Sequence, residues 1–201
     1  WNSQFEYVLE SLSTFSSPIV DLASGRCYLV EKIISKLRRP VIATDFSPSV
    51  LRRNRKYFQF LGLEDHLSFL AFDARKTPFK EGAIEVMTTN VGLANIENPG
   101  DLLSELKRII SGTLLAISHF YPEDDDANRK AIKDIGLEAF TFKVAALQYF
   151  SESGWSAKVE NSYMARALPT PPSVIFEGAR ADGLPVAATE LEWCTLRASP
   201  A

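Results

Sequence analysis

Pro18-Ile19-Val20-Asp21-Leu22-Ala23-Ser24-Gly25-Arg26-Cys27 is a short apolar run that ends in an acid and a small-residue turn. An unbroken apolar run of this length reads as a strand buried on both faces, as in a parallel sheet. Beyond it, Cys27, Leu29, Val30, Ile33, Ile34 and Leu37 recur at helical spacing, and Pro40 marks the stop. Strand, turn and helix make the opening half of a βαβ unit, whose turn is where such a unit meets a ligand. Gly25 suits a tight turn, and Ala23 and Ser24 are small enough to let a ligand approach the backbone. With a single glycine, the turn taken alone reads equally well as an ordinary strand-to-helix connection.

The pattern repeats outward from this stretch. Val41-Ile42-Ala43-Thr44 is a second buried strand, closed by Asp45. Ser47 before Pro48 reads as a helix cap with proline in the first helical position, and the helix runs to about Phe60, with Gly62 past its end. Leu67–Phe72, Ile84–Thr89 and Thr113–Phe120 read as three more strands, with a helix over Asp101–Ile110. Helices follow at Asp124–Gly136, whose acidic start suits a positive helix terminus, and at Phe142–Ser153. Ala157–Ala165 and Thr189–Arg197 are late strands, separated by a Pro- and Gly-rich loop over 168–185. In the last strand Leu191, Trp193 and Thr195 share one face, and Glu190, Glu192 and Cys194 the other. Residues 1–16 carry Phe5, Val8, Leu9 and Leu12 at helical spacing and read as a short capping helix. Alternating strands and helices predict an α/β fold of one domain over 1–201, a mostly parallel sheet with helices on both faces. The last two strands, close in sequence, suit an antiparallel pair.

Four successive strands end in residues suited to a nucleoside. The first ends in the Asp21–Gly25 turn. The second ends in Asp45, about twenty residues on, where a carboxylate can accept hydrogen bonds from both hydroxyls of a ribose. Phe46 can lie against a purine face or belong to the core. The third ends in Phe72-Asp73-Ala74, where the acid can accept from an exocyclic amine and the next backbone N–H can meet a ring nitrogen. The fourth ends in Thr88-Thr89-Asn90-Val91-Gly92-Leu93, a small polar loop. Each element has a bland reading as a solvated acid or a cap, but all four ends fall on the ligand-binding edge of a parallel sheet.

In order and spacing the set resembles the class I S-adenosylmethionine-dependent methyltransferases. Asp21 through Cys27 is similar to that family's first motif, Asp45 to its ribose-binding acid and Asp73 to its adenine-side acid. Ile84-Glu85-Val86-Met87 resembles the fourth-strand motif, with Glu85 where Asp is usual. Asn90-Val91-Gly92-Leu93-Ala94-Asn95-Ile96 resembles the matching segment of ubiquinone- and menaquinone-biosynthesis enzymes, and Gly154-Trp155 also fits the family. The likeness covers 17–165 and 187–197. It implies a Rossmann-like three-layer sandwich of seven strands in the order 3-2-1-4-5-7-6, the last antiparallel. It also implies S-adenosylmethionine as cofactor, S-adenosylhomocysteine as product, and Asp21, Ala23, Ser24, Gly25, Asp45, Phe46, Asp73, Ala74 and Asn90 as the residues around it. Ala23 and Cys27 depart from two glycines usual in the first motif. A domain of this fold that holds cofactor without turnover is the alternative this departure raises, and a nucleotide-dependent oxidoreductase is a second. Against the latter stands the missing three-glycine fingerprint.

Methyl transfer from a sulfonium requires alignment of an acceptor and exclusion of water, so no catalytic group is obligatory. His119, at the end of the fifth strand, is the best candidate for a base, because a free imidazole titrates near neutrality. A structural histidine is the competing reading. Arg52-Arg53-Asn54-Arg55-Lys56 reads as a solvated helix face and Glu123-Asp124-Asp125-Asp126 as a helix start, so neither nucleic acid nor metal is expected. The net charge of −3 gives no general attraction to polyanions, though it does not exclude a local basic patch. The absence of any long apolar run and the two cysteines, Cys27 and Cys194, suit a cytoplasmic protein, while the lack of a basic tail and the likeness to quinone-type enzymes imply a small-molecule acceptor. The chain begins at Trp1 rather than Met, which leaves room for an upstream segment.

Overall fold

The computed structural model describes residues 2–171 and 180–201. Seven strands form one sheet in the order β3-β2-β1-β4-β5-β7-β6. They are β1 (Ile19–Asp21), β2 (Val41–Asp45), β3 (Leu67–Ala71), β4 (Ile84–Asn90), β5 (Ile110–Phe120), β6 (Trp155–Ala167) and β7 (Thr189–Pro200). The first five pair in parallel, and β7 runs antiparallel to both β5 and β6. This is the expected order and sense.

The helices are α1 (Asn2–Leu12), α2 (Tyr28–Leu37), α3 (Pro48–Phe60), α4 (Pro99–Ile109), α5 (Asp126–Asp134) and α6 (Lys143–Glu152). One face of the sheet is covered by α1, α2 and α3, whose Phe5, Val8, Leu29, Ile33 and Phe58 pack on Ile19, Val41, Val86 and Ile117. On the other face Leu102, Leu103 and Leu106 of α4 and Phe150 of α6 pack on Val20, Met87 and Leu114. Trp155 closes that layer, its indole N–H donating to the Leu103 carbonyl at 3.1 Å. Both faces of the central strands are therefore dry, which is why they read as unbroken apolar runs.

The helix starts follow their caps. Ser47 Oγ accepts from Val50 N at 3.5 Å ahead of Pro48, and Asp125 accepts from Asn128 N at 3.1 Å ahead of α5. Two expectations need correction. First, β5 begins at Ile110, not Thr113, because α4 passes into it with no intervening loop. Second, the polar alternation expected along β7 ends at its C-terminal half, where Cys194, Thr195 and Leu196 are all buried because both faces are covered there. Of the loop expected over 168–185, residues 172–179 lie outside the described residues, and Arg180–Gly183 form a 3-10 turn. That turn meets the post-β4 loop, with Ala181 N donating to Asn95 Oδ1 at 3.3 Å.

Candidate functional site

The C-terminal ends of β1, β2 and β4 meet around the Asp21–Cys27 turn. Register alone places Asp21 opposite Ala43 on one side and Thr88 on the other. Thr88 Oγ1 donates to Asp21 Oδ1 at 2.6 Å, and Thr44 Oγ1 donates to the Asp21 carbonyl at 2.9 Å. Ser24 ties the turn to β2: its N–H donates to the Thr44 carbonyl at 2.7 Å, and its Oγ accepts from Thr44 N at 3.1 Å. Gly25 N donates to Asp45 Oδ2 at 3.0 Å, while Asp45 Oδ1 accepts from Ser47 N at 2.9 Å. A carboxylate has about four acceptor sites. Asp45 is thus oriented by two backbone donors and keeps capacity for two more.

Asp21 is buried. Burial pushes its carboxyl up to about 6, Thr88 and Ser24 oppose that rise, and the nearby Asp45 adds to it. Two carboxylates beside one turn make a site in which a positively charged ligand relieves like-charge repulsion.

The backbone of the crevice is unusual. Ala23 has φ 49°, Cys27 φ 59° and Val91 φ 58°, all in the left-handed region that favours glycine. The turn has therefore kept a glycine-like path while carrying other side chains. Strain of this kind gathers at ligand sites, where the surrounding structure enforces it. Gly92 meets a different demand. Its φ of −77° is ordinary, but a Cβ there would lie 2.3 Å from Thr89 Oγ1, 2.9 Å from Ala23 Cβ and 3.1 Å from the Leu22 carbonyl oxygen. The post-β4 loop is pressed onto the first turn.

Asn54 is a residue the sequence reading passed over. It is buried on α3 and donates from Nδ2 to the Gly25 carbonyl at 2.7 Å and to Cys27 Sγ at 3.1 Å. Its only sequence signal is a lone amide in a run of cations, on the helix face opposite them.

The other expected residues sit as follows. Phe46 is 76% exposed beside Asp45, so it is a free aromatic face and not core. Asp73 lies past the end of β3, and its carboxylate is gripped by Arg75, with Nε to Oδ1 at 2.9 Å and the guanidinium to Oδ2 at 2.7 Å. That pairing holds Asp73 below the usual carboxylate range and takes up most of its acceptor capacity. Ala74 packs against the core. Asn90 ends β4 with a buried Oδ1 that has no partner among the described residues. An orphaned acceptor at a ligand edge fits a donor supplied from outside the chain.

His119 lies on β5, beyond Asn90, with Trp193 at 4.8 Å and Tyr121 at 5.8 Å between ring centroids. Its Nδ1 is buried with no partner among the described residues, and burial pushes the imidazole down to about 4. At neutral pH it is an uncharged hydrogen-bond partner. A small hollow lined by Val91, Leu93, Ala94, Ser118, His119 and Phe140 separates it from the post-β4 loop. Among the described residues no group of His, Cys, Asp and Glu is placed to hold a metal.

Replacing Ala23 by glycine is expected to change the stability by less than about 1 kcal/mol. Relief of the left-handed penalty, about 1–2 kcal/mol, is offset by roughly 0.8 kcal/mol of one lost methyl contact and about 0.4–1 kcal/mol of added freedom in the unfolded chain. Cys27→Gly relieves the same strain but loses a buried side chain and the Asn54 contact, so it should be the less stable of the two. Urea unfolding midpoints compare the two. An Ala23→Gly variant destabilised by more than about 1 kcal/mol would mean that the methyl packs structurally.

Known proteins match this chain in sequence and in shape. A family model described as a methyltransferase domain matches residues 19–112. The demethylmenaquinone methyltransferase of Thermus thermophilus is 34% identical over 108 residues, covering 52% of this chain and 47% of that protein. The ubiquinone/menaquinone biosynthesis C-methyltransferase of Pseudomonas fluorescens Pf0-1 is 28% identical over 129 residues, covering 62% of this chain and 48% of that protein. The chain thus spans about half the length of the relatives it matches. Among solved structures, the YcgJ protein of Bacillus superimposes with a TM-score of 0.75 at 11% identity, covering 100% of this chain and 99% of that one. Geranyl diphosphate C-methyltransferase of Streptomyces coelicolor, in complex with Mg2+, geranyl diphosphate and S-adenosyl-L-homocysteine, gives 0.69 at 15%, covering 100% and 79%. Residues 19–112 thus resemble a methyltransferase domain in sequence, and the described chain as a whole shares the seven-stranded α/β fold of these solved structures.

Proposed function

We propose that the chain binds S-adenosylmethionine at the ends of β1, β2 and β4 and transfers its methyl group to a small-molecule acceptor. The observation that carries this is the Asp21–Asp45 pair built around a turn held in glycine-like geometry. Asp45 would take the ribose hydroxyls on its two remaining acceptor sites, and Phe46 would lie along the purine. Asp73 and the Ala74 N–H would face the adenine edge, with Arg75 held against Asp73. Ala23, Ser24 and Gly25 would give the ligand a close backbone approach. Asn90 Oδ1 would accept from the ligand's ammonium group. The cofactor supplies a methyl already activated on a positive sulfonium, so the protein's part is alignment and the exclusion of water. His119, with its neutral imidazole, would be a hydrogen-bond partner for the acceptor. The two cysteines are free and buried, which fits a reducing compartment, so the proposal includes the cytoplasm.

The altered first motif favours a second reading, in which the chain binds cofactor without turning it over. Its motive is Cys27, a buried side chain where a glycine is usual. Incubation with labelled S-adenosylmethionine and a fraction of cellular small molecules separates the two. Formation of S-adenosylhomocysteine that depends on the added fraction supports transfer. Saturable binding with no product from any fraction supports the silent domain.

The two charge states of Asp21 give a pH prediction. Its folded value, about 6, lies above the ordinary 3.8. The folded protein holds this proton more tightly than the unfolded chain does. The cost of burying the charge is therefore fully present above pH 6 and is relieved as pH falls toward 4. Ligand affinity runs the other way, since a protonated Asp21 no longer attracts a cation. Affinity for S-adenosylmethionine should fall severalfold between pH 7 and 5, and Asp21→Asn should flatten that slope. Calorimetry showing an unchanged dissociation constant over this range in the wild type would remove Asp21 from the site.

A further inference from the structure

We infer that the outward face of α2 and α3 is a docking surface for an anionic lipid bilayer. The modest net charge of the chain hides a strong asymmetry. Residues 26–56 hold nine Lys and Arg against two Asp and Glu, leaving thirteen against twenty-three elsewhere. Helix α3 itself, PSVLRRNRKYFQF, has four cations and no acid.

The two helices lie side by side, because Tyr57 Oη on α3 donates to Glu31 Oε2 on α2 at 3.1 Å and Asn54 reaches the start of α2. Lys32, Lys36, Arg52, Arg53, Arg55 and Lys56 are all exposed, and none is in an ion pair among the described residues. Of the acids nearest to them in sequence, Glu31 is engaged by Tyr57, Asp45 accepts from Gly25 N and Ser47 N at the crevice, and Glu64 and Asp65 lie in the 3-10 turn past Leu61.

The apolar residues on the same face decide the kind of polyanion. Side chains four apart on a helix line up. Arg52, Lys56 and Phe60 form one row, and Arg53, Tyr57 and Leu61 continue the next. Phe60 is 86% exposed, and Tyr57 and Leu61 are exposed beside it. Each row is thus cationic at its start and apolar at its end. A helix of this character lies in a membrane interface, its cations at the headgroups and its apolar side chains in the acyl boundary. A nucleic-acid duplex would meet the cations with its phosphates, but its bases, stacked on one another, offer nothing to Phe60 and Leu61. None of these residues belongs to the proposed cofactor site, so docking leaves the crevice open.

The test is co-sedimentation of the full chain with vesicles. Phosphatidylcholine vesicles containing phosphatidylglycerol should carry it down at low salt, and vesicles of phosphatidylcholine alone should not. Binding should fall at about 1 M salt, where the Debye length shrinks to about 3 Å. Arg52→Glu with Lys56→Glu should lower the partition coefficient by at least about tenfold. Phe60→Ser should weaken it with melting temperature unchanged, whereas Lys130→Glu, an exposed cation on α5, should leave it intact. Equal binding to both vesicle types, no binding to either, or indifference to the double charge reversal would overturn the proposal. So would tight binding of an RNA or DNA duplex by a chain that ignores the vesicles, which would assign the face to a polynucleotide.

Discussion

Gly92→Ala should lower the unfolding free energy by about 3 kcal/mol, at the upper end of what an inserted methyl costs in a packed site. Conformation alone argues for the opposite sign, because the φ of −77° is one that alanine adopts freely. In open space the change would stabilise by about 0.4–1 kcal/mol through the unfolded chain. Packing overrides that gain. The new Cβ would stand 2.3 Å from Thr89 Oγ1, which itself donates to the Leu22 carbonyl at 2.7 Å. Turning Thr89 away leaves a buried acceptor short of its donor, and moving Leu22 or Ala23 shifts the first turn. Cofactor affinity should therefore fall together with stability. Gly112→Ala is the control. Its Cβ would lie 2.2 Å from the Glu85 backbone oxygen, remote from the crevice, so it should destabilise the sheet and leave the affinity of the folded fraction intact. An alanine at position 92 that is as stable as wild type would show that the two loops are not in contact.

Asp45→Ala should weaken cofactor binding about tenfold to a hundredfold, or about 1.5–3 kcal/mol for a charged acceptor shared by two hydroxyls. The structure adds a second loss. Asp45 also accepts from Gly25 N and Ser47 N, so the alanine frees the turn that a ligand needs held. Asp45→Asn separates the two contributions. Its remaining carbonyl oxygen can keep one backbone bond while the charge is gone, so it should bind between alanine and wild type. Asp124→Ala, at an exposed acid before α5, should bind as wild type does. Equal dissociation constants for folded Asp45→Ala and Asp124→Ala would refute the ribose assignment.

The sheet was legible because strands buried on both faces are written as unbroken apolar runs, as in Val41 to Thr44. The start of β5 was not, because Ile109 and Ile110 belong to a helix and a strand with no turn residue between them. At the site, Asp21, Gly25 and Asp45 could be read from their positions at strand ends. Thr88 could be read only as part of the polar segment at the end of β4, since its bond to Asp21 spans 67 positions and exists only through strand register. Asn54 was hidden for a similar reason: helix packing, not local pattern, brings it to Gly25 and Cys27. Most concealed were the left-handed backbones of Ala23, Cys27 and Val91, because those side chains normally signal the opposite conformation. Alanine and cysteine in the first turn read as a decayed motif, whereas the backbone shows the turn's shape retained.

Calorimetric titration of the wild-type chain with S-adenosylhomocysteine addresses the central claim most directly, because the demethylated ligand tests the nucleoside site without requiring an acceptor. Saturable binding is expected, stronger than that of NAD under the same conditions. Absence of saturation at millimolar S-adenosylhomocysteine in a folded sample, or equal binding of NAD, would contradict the assignment of Asp21, Gly25 and Asp45 to this cofactor.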